Sequence, residues 1–145
     1  MKIESRSFPG ETMIPSRFTC DGDNVSPSLI FSDIPKEAKS LVLVMDDPDA
    51  PMGTWVHWLV WNISPKTGFV DENSVPENAI EGMTSFNEAG YGGPCPPSGI
   101  HRYFFRLYAL DALLELGPEA GLVELEKAMN GHIITKAELI GLYGR

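Results

Sequence analysis

One stretch of the sequence decides the fold class: Leu41-Val42-Leu43-Val44-Met45, followed at once by Asp46-Asp47-Pro48-Asp49-Ala50-Pro51. Five consecutive apolar residues bounded by polar ones predict a strand that is buried on both faces. The two prolines stiffen the segment that follows, and its three carboxylates are costly to bury unless they are solvated or paired. We therefore expect a core strand that ends in a stiff acidic loop.

Two other segments have the composition of strands. Residues 56–63 and 103–110 are rich in β-branched and aromatic residues. The tail differs, because Pro118 opens a helical pattern that Gly131 ends, and residues 135–142 form a second helical stretch. Strands first and helices last predict a mainly β fold, an antiparallel β-sandwich of two sheets with peripheral C-terminal helices.

Length and charge restrict the class of protein. The chain has 145 residues, 43% of them hydrophobic, which suits a single domain over residues 1–145. Its net charge of −9 would repel a nucleic-acid backbone, and its longest apolar run is far shorter than a membrane span. We expect no nucleic-acid partner and no stable membrane insertion. The first residues lack the apolar stretch of a signal peptide, so the chain is expected to be cytoplasmic, or else a mature form whose signal has been removed.

The two cysteines, Cys20 and Cys95, are too few for a disulfide framework. In a reducing cytosol both would be thiols, whereas an oxidising compartment would allow one bridge between them. The sequence leaves their redox state open.

A first group of polar residues follows the central strand. Asp46, Asp47 and Asp49 come directly after the apolar run, and His57 stands on the next predicted strand, near enough in sequence to fold back on them. Loops on a rigid scaffold often carry function. The alternative is a solvated turn beside a structural histidine, and the residues alone leave both interpretations open.

A second group combines the run Gly92-Gly93-Pro94-Cys95-Pro96-Pro97 with His101, Arg102 and Tyr103 at the start of an aromatic strand. Backbone amides, imidazole, guanidinium and a phenol hydroxyl are the donors that suit an anionic group such as phosphate. A crossover loop with a buried histidine is the alternative. Two weaker hypotheses are a Cys95 nucleophile with His101 as its base, and a metal site of carboxylates and imidazoles.

The two groups, taken in order, resemble the phosphatidylethanolamine-binding protein family, also called Raf kinase inhibitor-like. The resemblance rests on four segments: Asp47-Pro48-Asp49-Ala50-Pro51, Trp55-Val56-His57-Trp58, Gly92-Gly93-Pro94-Cys95-Pro96-Pro97 and Gly99-Ile100-His101-Arg102-Tyr103. Segments near the ends, such as Cys20-Asp21-Gly22 and Tyr143-Gly144-Arg145, look like its short bacterial and archaeal branch. The match spans nearly the whole chain, although the link over residues 52–54 is much shorter than in the animal proteins.

The resemblance implies a β-sandwich with one small pocket for an anion or zwitterion, such as phosphate or a phosphorylethanolamine-like head group. It assigns ligand binding to seven residues: Asp47, His57, Gly92, Gly93, Pro94, His101 and Tyr103. Asp49 and Pro51 are expected to shape the loop, and the Ala50–Pro51 peptide bond is a candidate for the cis form. Short prokaryotic members suggest a homodimer. We expect neither a cofactor nor a metal.

In the expected arrangement, Asp47 orients His57 and favours its charged form, because an adjacent carboxylate stabilises the imidazolium. The anion would be held by the amides of residues 92–93, by His101 and by Tyr103.

Asp49 would brace the loop, and Arg102 would pair with an acid.

The sequence leaves three functional hypotheses. The first is a non-enzymatic binding protein with a regulatory role. The second is an inhibitor or regulator of a kinase or serine protease that binds its partner through the pocket rim. The third is a hydrolase that uses histidine and aspartate, which no recognisable spacing of nucleophile and base supports.

Overall fold

The computed structural model describes residues 1–145 as eight strands, one α-helix and connecting turns. In chain order the strands are β1 (Lys2–Glu4), β2 (Leu29–Ser32), β3 (Ser40–Asp47), β4 (Trp55–Ile63), β5 (Phe69–Val70), β6 (Ile80–Glu81), β7 (Ile100–Leu110) and β8 (Ile133–Gly144). The helix α1 covers Leu122–Met129, and a single 3₁₀ turn covers Ser16–Phe18. One sheet has the order β1-β2-β5 and the other the order β6-β4-β3-β7-β8, and every strand pairing is antiparallel.

The predicted strands are confirmed, and so is the mainly β fold with two antiparallel sheets. All eight residues of β3 are buried. Leu41, Leu43 and Met45 face the core between the two sheets, whereas Val42 and Val44 face a second core beneath α1. An unbroken apolar run has no polar face to leave in water, so both of its sides must be covered.

The tail differs in part from expectation. The helix begins at Leu122, four residues after Pro118, and buries Leu125 and Met129 against the larger sheet. Gly131 lies just beyond its end with φ +84°, a backbone conformation that glycine adopts without strain. No helix of the chain is long and apolar enough to cross a bilayer.

The second predicted helix is wrong, because residues 135–142 belong to β8. This strand pairs with the whole length of β7, from Ile100 opposite Gly144 to Leu110 opposite Ile133. The local composition around Ala137 suits a helix, but a helix there would leave the edge of β7 unpaired. Backbone pairing along β7 and burial of Leu139 in the sandwich core outweigh that local preference.

The sheet topology determines where the functional residues meet. Because β3 runs antiparallel to both neighbours, its carboxyl end lies beside the amino ends of β4 and β7. Asp47 stands opposite Trp55 of β4, and Asp46 stands opposite Phe104 of β7. The two polar groups of the sequence, 35 residues apart, are therefore brought to one edge of the sheet.

Candidate functional site

A cavity of about 360 Å³ lies at this edge. Its walls come from the ends of three strands and from the two loops that the sequence singled out. The lining residues are Asp47, Ala50, Pro51, Trp55, His57, Phe86, Cys95, Pro96, Pro97, His101 and Tyr103. Four of the seven predicted binding residues, Asp47, His57, His101 and Tyr103, thus share one pocket, whereas Gly92, Gly93 and Pro94 lie behind its wall.

Asp47 orients His101. Oδ2 of Asp47 lies 2.7 Å from Nδ1 of His101, and Oδ1 accepts the backbone N–H of Asp49 at 2.8 Å. Both carboxylate oxygens are therefore used within the protein. The expectation that Asp47 orients His57 is wrong, because Nδ1 of His57 is hydrogen-bonded to a different group.

That group is the carbonyl oxygen of Gly92, 2.6 Å from Nδ1 of His57. A carbonyl only accepts, so Nδ1 carries the hydrogen and Nε2 is an acceptor while the ring is neutral. Burial lowers the pKa of His57, more than the Gly92 carbonyl and the Asp47 charge raise it. The expected preference of His57 for its charged form is therefore also wrong for the unliganded protein, since the desolvation of a buried imidazolium is the larger effect.

Tyr103 contributes a buried hydroxyl with no hydrogen-bond partner in the chain. Its ring is fully buried and packs edge-on against His57, with the ring centroids 5.3 Å apart. Burial, followed by the negative charge of Asp47 and the closeness of its carboxylate, raises the pKa of the Tyr103 hydroxyl above its usual range, although the Asp47 oxygens do not meet hydrogen-bond geometry with the hydroxyl. The group therefore stays protonated and can donate to a ligand. A buried polar group without a partner is uncommon and calls for an explanation.

The glycine amides do not serve as anion donors. The N–H of Gly92 donates to the carbonyl of His57 at 3.0 Å, and the N–H of Gly93 donates to Oδ1 of Asn24 at 2.8 Å. This corrects their predicted role, because both donors are already satisfied. At Gly93 the reason for glycine is space: a Cβ there would lie 2.4 Å from Oδ1 of Asn24 and 2.4 Å from the carbonyl oxygen of Phe18.

Asp49 links its loop to Arg102 of β7. It accepts three hydrogen bonds from Arg102, each of 2.9 Å, from the backbone N–H, Nε and Nη2. These bonds lower the pKa of Asp49 to about 2. Pro51 lines the pocket wall, and the Ala50–Pro51 bond is trans because the chain contains no cis peptide bond. The candidate cis form is therefore wrong.

The two cysteines are joined by a disulfide, with their Cα atoms 5.5 Å apart. This settles the question that the sequence left open. It also argues against Cys95 as a nucleophile, because a disulfide sulfur carries no thiol that His101 could deprotonate. No cluster of three or more His, Cys, Asp or Glu side chains is arranged to hold a metal ion.

Sequence reasoning missed one wall of the pocket. Phe86 packs edge-on against Trp55 and His57, at centroid distances of 5.4 and 5.3 Å. It lies in a turn-rich segment without a motif, and only the fold brings it to β4.

A larger cavity of about 510 Å³ lies between α1 and the outer face of the sheet. It contains none of the predicted site residues. Its central cation, Arg106, is already paired with Asp46 through Nε at 3.0 Å and with Glu138 through Nη1 at 2.5 Å. The smaller pocket, with its unpaired hydroxyl and two imidazoles, is the better candidate for ligand binding.

Comparison with known proteins agrees with this fold. Residues 4–144 match the family model described as phosphatidylethanolamine-binding protein. A UPF0098 protein of Methanothermobacter thermautotrophicus is 48% identical over 150 aligned residues, covering all of this chain and 99% of the relative. A UPF0098 protein of Aquifex aeolicus is 46% identical, covering all of this chain and 89% of the relative.

Two solved structures share the architecture. A Chlamydia trachomatis protein, described as a phosphatidylethanolamine-binding protein homologue, superposes with a TM-score of 0.96 at 42% identity, covering 99% of this chain and 97% of that one. The Escherichia coli protein YbcL is described as a new member of the mammalian phosphatidylethanolamine-binding protein family. It gives a TM-score of 0.93 at 28% identity, covering 99% of this chain and 98% of that one. The family match, the sequence identities and the superpositions agree, and the chain belongs to the phosphatidylethanolamine-binding protein family.

Proposed function

We propose that the pocket binds a small anionic group, phosphate or the phosphate ester of a phosphorylethanolamine-like head group, and that the protein acts by binding rather than by catalysis. The observation that carries this proposal is the buried Tyr103 hydroxyl, which has no partner in the chain and belongs to the wall of the pocket. A phosphate oxygen would supply the missing acceptor.

Two imidazoles complete the donor set. Nδ1 of His57 is bound to the Gly92 carbonyl and Nδ1 of His101 to the Asp47 carboxylate, so each ring has only Nε2 left for a ligand. Nε2 donates only when its ring is protonated. An anion in the pocket would therefore favour protonation of these rings, and binding would draw a proton from solvent.

The charge of the chain favours some anions over others. With a net charge of −9 and the Asp47 carboxylate in the pocket wall, a multiply charged anion meets repulsion that a zwitterion partly avoids. We expect phosphorylethanolamine, whose ammonium offsets part of its phosphate charge, to bind more tightly than inorganic phosphate.

The test follows the imidazole NMR signals of His57 and His101 while phosphorylethanolamine, and separately inorganic phosphate, is added. His132 is the internal control. It pairs with Asp111, eight residues beyond Tyr103 along the direction of β7, which places it about 26 Å from the pocket at the usual rise per residue. Saturable shifts of His57 and His101 with a fixed His132 are expected. If neither pocket histidine moves at millimolar ligand, the proposal is wrong.

A second candidate is the binding of a kinase or serine protease through the pocket rim. It is supported by apolar side chains exposed beside the pocket, Met52 at 96% and Ile100 at 66%. Pull-down with and without saturating phosphate separates the candidates. If phosphate abolishes binding of the partner protein, the result supports binding through the pocket rim. If phosphate leaves that binding unaffected, the result contradicts it.

The homodimer stays an expectation, which sedimentation of the free protein can test.

A further inference from the structure

We propose that the Cys20–Cys95 disulfide is a thiol–disulfide exchange site, through which a dithiol reductant releases one wall of the ligand pocket. The proposal uses the proposed function for one of its readouts, since ligand affinity reports the state of the wall. Its other readouts need no ligand.

The first part of the loop is held without the disulfide. The hydroxyl of Tyr91 donates to the carbonyl of Phe18 at 2.7 Å, and the N–H of Gly93 donates to Asn24. The carbonyl of Pro94 accepts the N–H of Cys20 at 3.1 Å. These bonds anchor residues 91–94 to the segment that follows the 3₁₀ turn, whatever the redox state of the cysteines.

The next part has no such anchor. The next backbone bonds are those between Gly99 and Arg145, at 3.1 and 3.3 Å. Between them, Pro96 and Pro97 line the pocket and have no N–H to donate. The bond from Cys95 to Cys20 is thus the one covalent attachment between the anchors at Pro94 and Gly99. Cutting it leaves the proline wall held at its two ends and by the packing of the buried Pro96.

The surroundings of the two sulfurs favour attack by a thiolate on Cys95 over attack on Cys20. Cys95 is exposed and Cys20 is half-buried, so an incoming thiolate reaches the sulfur of Cys95 more easily. Nη2 of Arg145, which also pairs with Oδ1 of Asp21 at 2.5 Å, lies 3.2 Å from Sγ of Cys20 and 3.8 Å from Sγ of Cys95. A guanidinium beside a sulfur stabilises the thiolate, and a better-stabilised thiolate leaves faster. Cys95 is therefore the sulfur attacked and Cys20 the sulfur released.

The exchange proceeds in two balanced steps. The reductant thiolate attacks Sγ of Cys95, a mixed disulfide forms, and the Cys20–Cys95 bond breaks with its electron pair on Cys20. The second thiol of the reductant then loses its proton and attacks its partner sulfur in the mixed disulfide, so that the reductant closes into a cyclic disulfide. Cys95 leaves as a thiolate and takes up a proton. The reductant loses two electrons, and the two cysteine sulfurs gain them.

The experiment compares the oxidised protein with the protein reduced by dithiothreitol, and with the Cys20→Ser/Cys95→Ser double variant as a permanently open form. Backbone ¹⁵N relaxation at residues 95 and 98 and the indole signal of Trp55 report the motion of the wall without any ligand. Amide hydrogen exchange in β3 reports whether the sheet stays folded. We expect lower order parameters at residues 95 and 98 and unchanged protection of the β3 amides in both open forms.

Ligand affinity gives the second readout. Phosphorylethanolamine should bind about 3- to 10-fold more weakly to the open forms, because ligand binding must then order the wall. Unchanged order parameters at residues 95 and 98 overturn the proposal, and so does loss of amide protection throughout β3, which would make the disulfide a general stabiliser. If the oxidised protein binds no phosphorylethanolamine, the proposed function fails, while the relaxation readout still decides whether the disulfide holds the pocket wall.

A matched pair of variants tests the role of Arg145. Arg145→Gln removes the cation beside the sulfurs and should slow reduction by dithiothreitol roughly 3- to 10-fold. Arg6→Gln makes the same change in charge at an arginine that packs over Phe69 of the smaller sheet, and should leave the rate unchanged. Equal rates for both variants would overturn the assignment of Cys20 as the leaving thiolate.

Discussion

Nδ1 of His101 lies 2.7 Å from Oδ2 of Asp47, and only 9% and 4% of the two side chains are exposed. The pair joins the end of β3 to the start of β7 across the floor of the pocket. Breaking a buried, hydrogen-bonded pair is costly, because the remaining partner is left without its counterpart. The same contact that shapes the site therefore contributes to the stability of the fold.

The substitution Asp47→Asn tests this contact. Both oxygens of Asp47 accept hydrogen bonds, whereas an asparagine offers one oxygen and would turn its NH₂ group towards a second donor. We expect the free energy of unfolding to fall by about 2–3 kcal/mol, measured by urea denaturation. The control is Asp23→Asn, whose pair with Arg17 is exposed and screened by solvent and should contribute little to stability. Equal losses in the two variants would contradict the role given to Asp47.

Tyr103→Phe separates binding from stability. Because the hydroxyl has no partner in the free protein, removing it breaks no hydrogen bond and should not lower the free energy of unfolding. The affinity for phosphorylethanolamine, measured by calorimetry, should fall about tenfold, the value of one hydrogen bond. Tyr108→Phe is the control, since Tyr108 lines the other cavity. An unchanged affinity for Tyr103→Phe would remove the hydroxyl from the binding site.

The stability of the protein should depend on the titration of His57. Burial lowers the pKa of His57 in the folded state. At a pH below the ordinary value of 6.5, the unfolded chain therefore binds a proton at His57 more readily than the folded chain does. The unfolded state then holds more protons, and stability falls as pH decreases from 6.5 towards the folded pKa. Urea denaturation between pH 8 and pH 5 measures this slope. His57→Gln should flatten it, whereas His132→Gln should leave it in place.

Anion affinity should change with pH in the opposite direction. Sulfate is a suitable probe, because its own charge stays constant over the range used. Its affinity should rise as pH falls from 8 to 6, since only a protonated imidazole donates from Nε2. Calorimetry in two buffers of different ionisation enthalpy would detect the expected proton uptake. A pH-independent affinity would show that the imidazoles of His57 and His101 do not contact the anion.

Gly93→Ala tests the packing role of the glycine. Its Cβ would come within 2.4 Å of Asn24 and of the Phe18 carbonyl, so the loop must shift, at a cost of about 1–3 kcal/mol. Gly10→Ala is the control, because its Cβ would meet Leu139 at an ordinary 3.6 Å. Thermal unfolding measures both. A Gly93→Ala protein as stable as the control would show that the loop can yield without cost.

Much of the fold could be predicted because its strands are marked by composition alone. An apolar run such as Leu41 to Met45 has one low-energy solution, burial on both faces. The tail could not be predicted in the same way. Residues around Ala137 favour a helix locally, and only the unpaired edge of β7 makes them a strand.

The candidate site, like the fold, was predictable only in part. The residue types near the strand ends show which side chains are available, and four of the predicted residues do line one pocket. It could not choose the partner of Asp47, because His57 and His101 stand on the two strands that flank β3. Only the folded loop decides: the Gly92 carbonyl takes Nδ1 of His57, and His101 is left to the carboxylate.

The cysteines show the same limit. Cys20 and Cys95 are 75 residues apart, and nothing in the sequence indicates that they meet. Composition and pattern determined the strands, the acidic loop and the polar groups available to a pocket, because these follow from local burial and backbone preference. The tertiary structure alone decided the hydrogen-bond partners, the strand at the tail and the disulfide, because each depends on groups that are distant in sequence and adjacent only after folding.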